Sequence, residues 1–246
     1  MRLLRSLAVW VVICAATVAF GVPAIPLGLV PPRGEWFLRL ARGWARVILA
    51  ASGVSVRVLH SERLRPGQSF VVAPNHESFY DILVLFAFLP VSMRFLAKRN
   101  LFRVPILGWS MAAAGFVPVD RGEPGRSTAT IETGLKRLER GLSLIVFPEE
   151  TRTRTGDLLP FKTGAALLAL RSGLPLLPIG IGGTFRIQRR GGFTITPSQV
   201  ALAIGEPILV EGHSPRERTA LTESLRESVA ALRAEAREAV AYNGHR

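Results

Sequence analysis

The sequence predicts an α/β protein, a mixed sheet flanked by helices, preceded by an N-terminal membrane-binding helical segment. Three observations predict it. From about residue 55 onward, short apolar runs rich in Val, Ile and Phe alternate with helical stretches. Before them, residues 7–30 carry no charge. The chain of 246 residues is also both hydrophobic (48% apolar, mean hydropathy +0.30) and strongly basic, with a net charge of +13. An anionic bilayer surface rewards both properties at once, through apolar insertion and attraction of arginines to lipid phosphates. The apolar content excludes a disordered chain, and the single cysteine, Cys14, excludes a disulfide-stapled miniprotein.

The elements follow in order. In the first segment, Pro23 and Pro26 remove backbone donors and are expected to end the helix. That leaves residues 7–22, about 24 Å, short of a hydrocarbon core of about 30 Å. Arg2 and Arg5 precede the segment and Arg33, Arg39, Arg42 and Arg46 follow it, without the one-sided bias of a simple span. This fits a segment that dips into the bilayer and returns, with both ends in the cytoplasm. Ala19-Phe20-Gly21 is the one plausible signal-peptidase site, and residues 1–30 are expected to be retained. Residues 36–51 form the next helix. Arg39, Arg42 and Arg46 make a cationic stripe on it, and Trp36, Phe37, Leu40, Trp44, Val47 and Ile48 supply apolar and interfacial surface, as in a helix lying among headgroups. Residues 1–52 are therefore a hydrophobic and amphipathic membrane-anchoring segment, and 53–246 a globular domain.

In that domain strands are predicted at 54–59, 70–73, 93–97, 116–119, 142–147, 176–181 and 200–203. Helices are predicted at 78–88, 106–114, 127–140 and 163–171. A last helix opens on Ser214-Pro215-Arg216-Glu217, a capping box with proline in the first turn. Leu221, Leu225, Val229, Leu232, Ala236 and Val240 give it one apolar face for packing. No Walker loop, G-x-S-x-G elbow, HExxH or CxxC is present. The four histidines are scattered without metal-ligand spacing, so no metal is expected. Gly180-Ile181-Gly182-Gly183 is too incomplete for a dinucleotide fingerprint. No aromatic–basic interleaving points to nucleic acid.

The chemistry concentrates in three stretches. Ala73-Pro74-Asn75-His76-Glu77-Ser78-Phe79-Tyr80-Asp81 runs from a strand into a helix. On one continuous helix His76 and Asp81 would face apart. They meet if His76 sits on the turn before the helix and Asp81 inside its first turn. The pair then forms a general base with its orienting carboxylate, acting directly on a substrate hydroxyl. Gly115-Phe116-Val117-Pro118-Val119-Asp120-Arg121 and Phe147-Pro148-Glu149-Glu150-Thr151-Arg152 each put an arginine just past a strand. Strand ends on one edge of an α/β sheet are where ligands bind, and two arginines there suit a phosphate. The plainer alternative is that both arginines are solvated, Arg152 pairing with Glu149.

Together, in this order, these stretches resemble the glycerolipid acyltransferase family, specifically the 1-acyl-sn-glycerol-3-phosphate acyltransferases. Asn75-His76 through Asp81 resembles its NHxxxxD motif. The block from Gly115 to Arg121 is similar to G-x-F-x-x-x-R, and Phe147, Pro148, Glu149, Thr151 and Arg152 resemble F-P-E-G-T-R. Leu177-Pro178-Ile179-Gly180 is similar to the fourth block, and Ala97-Lys98-Arg99-Asn100-Leu101 to the segment between the first two. The resemblance spans about residues 55–212 and departs at Glu150, where the family usually has Gly. A Cβ and a negative charge there bear on backbone freedom and on a nearby phosphate.

The resemblance implies the glycerolipid acyltransferase fold and acyl transfer from acyl-CoA or acyl-carrier protein to the sn-2 hydroxyl of 1-acyl-sn-glycerol 3-phosphate, giving phosphatidic acid. It implies His76 and Asp81 as the catalytic pair, Lys98, Arg121 and Arg152 as phosphate binders, and Glu149 placing the glycerol end. A thioester is already activated, so no cofactor or metal is required. The implied setting is the cytoplasmic face of a bacterial inner membrane, in contact with its anionic lipids. Another lysolipid, such as a lyso-ornithine lipid, or glycerol 3-phosphate are the alternative acceptors. A basic membrane-lipid-binding protein is the alternative outside enzymes, and it would have no need of both His76 and Asp81.

Overall fold

The computed structural model describes residues 1–29, 35–65, 67–119, 135 and 142–241. All but Leu135 of the expected helix 127–140 lies outside the described residues, as does Arg121. The strands are β1 (Val54–Leu59), β2 (Val71–Pro74), β3 (Met93–Lys98), β4 (Val117–Val119), β5 (Ser143–Ile145), β6 (Leu176–Gly182) and β7 (Ser198–Ile204). All seven fall where the apolar runs predict them. Among the described residues the α-helices are α1 (Arg2–Leu29), α2 (Glu35–Ala51), α3 (Tyr80–Phe88), α4 (Leu107–Ala113), α5 (Gly164–Ser172), α6 (Thr184–Ile187) and α7 (Arg218–Ala241). The short helix α6 was not anticipated from the sequence.

The strands form one sheet in the order β1-β7-β6-β2-β5-β3-β4. Six neighbouring pairs build it, and only β6–β7 is antiparallel, so the sheet is mixed as expected. Strands β6, β2, β5, β3 and β4 run the same way, and their C-terminal ends share one edge. Residues alternate between two cores, as the pleat demands. Val72, Ile145, Leu177 and Ile179 face a core shared with α1, α2 and α3. Val71, Leu144 and Leu176 face one shared with α5 and α7. Helices therefore flank both faces.

The Gly180-Ile181-Gly182-Gly183 stretch has a packing role. Helix α7 lies so close to β6 that a Cβ on Gly180 would overlap the Leu232 backbone, and one on Gly182 would come 2.7 Å from the Arg237 amide. Ala201 and Ala203 of β7 continue this low surface beneath α7.

The first helix departs from the sequence expectation. It continues to Leu29 with Pro23 and Pro26 inside it, a length of about 42 Å by rise per residue. Each proline deletes one backbone hydrogen bond. Docking offsets that loss: Ala24 is buried, and a Cβ on Gly28 would stand 3.0 Å from Ala113 at the end of α4. By length and composition α1 is apolar enough to cross a membrane. One face (Val9, Ile13, Ala16, Ala24) joins the sheet's core, while Leu3, Leu4, Leu7, Val11, Val18 and Val22 are exposed.

Candidate active site

The chain leaves β2 at Pro74 and enters α3 at Tyr80, and the turn between holds the Asn75-His76-Glu77-Ser78 stretch. Asn75 fastens this turn to β6. Its Nδ2 donates to the Ile181 carbonyl at 3.0 Å, and its Oδ1 accepts from the Ile181 amide at 2.7 Å. His76 sits before the helix and Asp81 in its first turn, the placement under which the two can meet. His76 Nδ1–H donates to Asp81 Oδ2 at 2.9 Å. Asp81 is fully buried, and it is fully engaged. Oδ2 also accepts the amides of Glu77 at 2.7 Å and Ser78 at 2.8 Å, and Oδ1 accepts the Thr184 hydroxyl at 2.5 Å. An acceptor-only carboxylate fixes the imidazole proton on Nδ1, which leaves the basic lone pair on Nε2. The Phe147 ring stacks on the imidazole, with centroids 3.9 Å apart.

The next strand over delivers the second block. Both oxygens of Glu149 are taken by backbone: Oε1 accepts the His76 amide at 2.5 Å, and Oε2 accepts the Leu159 amide at 2.8 Å. The expectation that Glu149 places the glycerol end meets a different geometry. Its carboxylate clamps the His76 turn to the 149–159 loop, and among the described residues it pairs with no arginine. Burial pushes Glu149 up to about 7, against the opposing pull of those two amides.

A carboxyl group whose folded value lies above its unfolded one binds more protons when folded. Stability therefore falls as pH rises from about 4.5 to 7 and is level beyond. Relative to Glu149→Gln, the wild type should lose about 3 kcal/mol of unfolding free energy across that window. Denaturant titrations of both proteins at a series of pH values check this, and a pH-independent difference contradicts it.

Glu150 follows at φ +57°, a left-handed conformation that disfavours side chains. The backbone thus explains why the family resembled by this block usually carries Gly here. Pro148 accepts the Lys162 amide at 2.8 Å and Thr151 N–H bonds back to Glu149 at 2.7 Å, so the block closes as a tight turn before Arg152. Gly115 takes φ +81° where α4 turns toward β4. Pro178 lies within β6, opposite Ala73.

An apolar cavity of about 300 Å³ lies between this edge and helices α1 and α2. Phe20, Leu40, Trp44, Phe86 and Phe116 are among its walls, and His76, Lys98 and Arg152 are the titratable side chains of its described lining, with Thr17 and Ser110 as further polar residues. The structure thus brings together His76, Asp81, Lys98 and Arg152. It sets Glu149 behind His76 rather than in the cavity wall. Burial, and then the neighbouring Arg190 cation, hold the Arg152 guanidinium below its usual range.

Two supports escaped sequence reasoning. Thr184, the first residue of α6 just past β6, steadies Asp81 from 103 residues away. Glu77 accepts from Arg233 Nε at 2.6 Å and Arg237 Nη2 at 2.9 Å, tying the His76 turn to α7. Burial first, then the Asp81 charge, push the Glu77 carboxyl up, while Arg233 and Arg237 oppose this. The legible signal for Thr184 was its place just past a strand on the ligand-bearing edge.

A family described as Acyltransferase matches residues 55–182. The chloroplastic 1-acyl-sn-glycerol-3-phosphate acyltransferase of Brassica napus is 36% identical over 139 residues, 56% of this chain and 40% of that one. A second chloroplastic one, of Arabidopsis thaliana, is also 36% identical and is covered to 39%, so the chain spans about two fifths of these plant relatives. The alpha form from Homo sapiens is 30% identical over 209 residues, 85% of this chain and 74% of that one. The fold is similar to the crystal structure of the 1-acyl-sn-glycerophosphate acyltransferase of Thermotoga maritima. The TM-score is 0.80 at 27% identity, over 95% of this chain and 96% of that one.

Proposed function

The chain belongs to the acyltransferase family, and on that premise we propose that it moves a fatty acyl group from acyl-CoA or acyl-carrier protein to the sn-2 hydroxyl of 1-acyl-sn-glycerol 3-phosphate, forming phosphatidic acid. The observation that carries the reading is the buried His76–Asp81 pair, with His76 in the lining of an apolar cavity whose other charged side chains, among the described residues, are Lys98 and Arg152. The relatives' names support the same acceptor.

In this reaction His76 Nε2 takes the proton of the acceptor hydroxyl as its oxygen attacks the thioester carbonyl carbon. Asp81 stabilises the imidazolium that forms. The tetrahedral intermediate then collapses, the C–S bond breaks, and the imidazolium returns its proton to the departing thiolate. The cavity takes an acyl chain, and Lys98 and Arg152 hold the phosphate of the acceptor. Arg121, outside the described residues, is proposed as a third phosphate ligand. Acyl transfer by the purified protein, measured with a panel of lysolipids and with both donors, tests the reading. Lysophosphatidate should be preferred, and preference for a lyso-ornithine lipid or glycerol 3-phosphate would replace the acceptor.

We further propose that residues 1–52 anchor the domain 53–246 on the cytoplasmic face of a bacterial inner membrane, among anionic lipids. The docking of α1 supports this. Ser6 Oγ accepts the Ile195 amide at 3.0 Å near one end of the helix, and Gly28 packs on Ala113 near the other, so both ends stay beside the domain. The exposed apolar face of α1 then lies in one leaflet, with Trp36 and the Arg39 guanidinium above its ring at the headgroups. The protein should stay with the membrane fraction in high salt, because salt screens only the arginine attraction. Full release by salt would contradict the insertion of α1.

A further inference from the structure

We propose that Arg190 completes, with Arg152, the cradle for the acceptor's phosphomonoester and favours a dianionic headgroup over singly charged ones; this rests on the acyl-transfer reading above. Arg190 lies at the apex of a turn closed by the Gly192 amide on the Arg189 carbonyl at 2.9 Å, with Gly191 at φ +76°. The turn is pinned on two sides. Toward the site, Ser78 Oγ donates to the Gln188 carbonyl at 2.8 Å, while the Ser78 amide donates to Asp81 Oδ2 at 2.8 Å. Toward the membrane helix, Trp10 Nε1 donates to the Phe193 carbonyl at 2.9 Å, and the two rings stack. Arg190 is thus held where the active-site edge meets α1, the level at which a lysolipid headgroup sits when its chain is in the bilayer.

There Arg190 Nη1–H donates to the Arg152 carbonyl at 3.2 Å, which brings a second cationic residue beside Arg152, itself part of the cavity lining. Among the described residues neither forms an ion pair. Arg152 is half-buried, and the neighbouring Arg190 charge disfavours its cation further. Two adjacent guanidinium groups with no ion-pair partner among the described residues, one of them partly desolvated and only partly favoured by the Asp81 charge, gain most from an anion of charge −2. Their planar forks suit the oxygens of a terminal phosphate. A phosphodiester headgroup offers one charge and less access.

The test varies each substrate separately with the full-length protein in detergent micelles. Arg190→Ala should raise the KM for lysophosphatidate by about fivefold, Arg190→Glu by more, and Arg190→Lys by less, while the KM for acyl-CoA holds. Preference for lysophosphatidate over lysophosphatidylglycerol should shrink by a similar factor. The wild-type KM should also fall as pH rises through the second phosphate ionisation, near about 6, and Arg190→Ala should flatten that dependence. A purely structural role would not move it. Direct binding of lysophosphatidate in a His76→Ala background isolates Arg190 from turnover. If the wild type acylates no lysophosphatidate, the acyl-transfer reading fails, while this binding comparison still judges Arg190. Equal binding with and without Arg190, or a change confined to the KM for acyl-CoA, overturns the proposal.

Discussion

A His76→Ala variant is expected to lose about 10²–10⁴-fold in acyl-transfer rate while keeping its fold and membrane association. Among the described lining residues, the side chain removed is the one with a lone pair aimed by a buried carboxylate. Asp81→Asn should cost a sizeable part of the same factor. Asp81 accepts four hydrogen bonds, from His76 Nδ1, the Glu77 and Ser78 amides and Thr184 Oγ1. An asparagine amide must turn its NH₂ toward one of those donors, which breaks the turn or the imidazole tautomer. Circular dichroism and membrane fractionation of the same preparations separate lost chemistry from lost structure. Near wild-type turnover by folded His76→Ala protein would sink the mechanism.

The second large effect is expected at Arg152. Arg152→Ala takes a half-buried guanidinium from a cavity it shares with His76 and Lys98. A charge-assisted hydrogen bond of this kind contributes roughly 1.5–3 kcal/mol, about 10- to 150-fold in apparent affinity for lysophosphatidate. Arg152→Lys should recover only part, because an ammonium lacks the planar fork. Steady-state kinetics with each substrate varied in turn decide it. A raised KM for acyl-CoA with lysophosphatidate unaffected would mean that the two ends of the site are reversed. No change in either would return Arg152 to the role of a solvated loop residue, and Lys98 and Arg121 would be left with the phosphate.

The elements of the sheet were legible because burial writes them into composition. A strand covered on both faces reads as a run of apolar residues, as β2 and β6 do, while β1 alternates apolar residues with exposed Ser55 and Arg57, and all seven runs became strands. The His76–Asp81 meeting was legible too, since five residues across a strand-to-helix turn leave few ways for two side chains to touch. The hydrogen bonding of Glu149 was not legible, for a reason local to its loop. A carboxylate in a motif reads as a ligand group, and nothing in the motif reveals that the His76 and Leu159 amides already occupy it. Proline in α1 was misjudged because its cost is counted per residue, whereas its compensation comes from α4, about 80 residues away.

By itself, then, the sequence determined where the seven strands and the longer described helices of the domain lie, that His76 and Asp81 can meet across the strand-to-helix turn, and that the N-terminal segment is apolar and flanked by arginine. Those are properties of local periodicity, chain geometry and solvation. Only the tertiary structure decided that α1 runs unbroken through Pro23 and Pro26, that Glu150 takes a left-handed turn, that Thr184 braces Asp81, and that Arg190 stands beside Arg152. The first depends on docking against α4 and the second on how the 147–152 turn closes, whereas the last two depend on strand order. Strands β2, β5 and β6 are far apart in sequence and lie side by side in the sheet, so their outgoing loops share one edge. Contacts between such loops are set by the packing of the whole sheet, and no short window of residues encodes them.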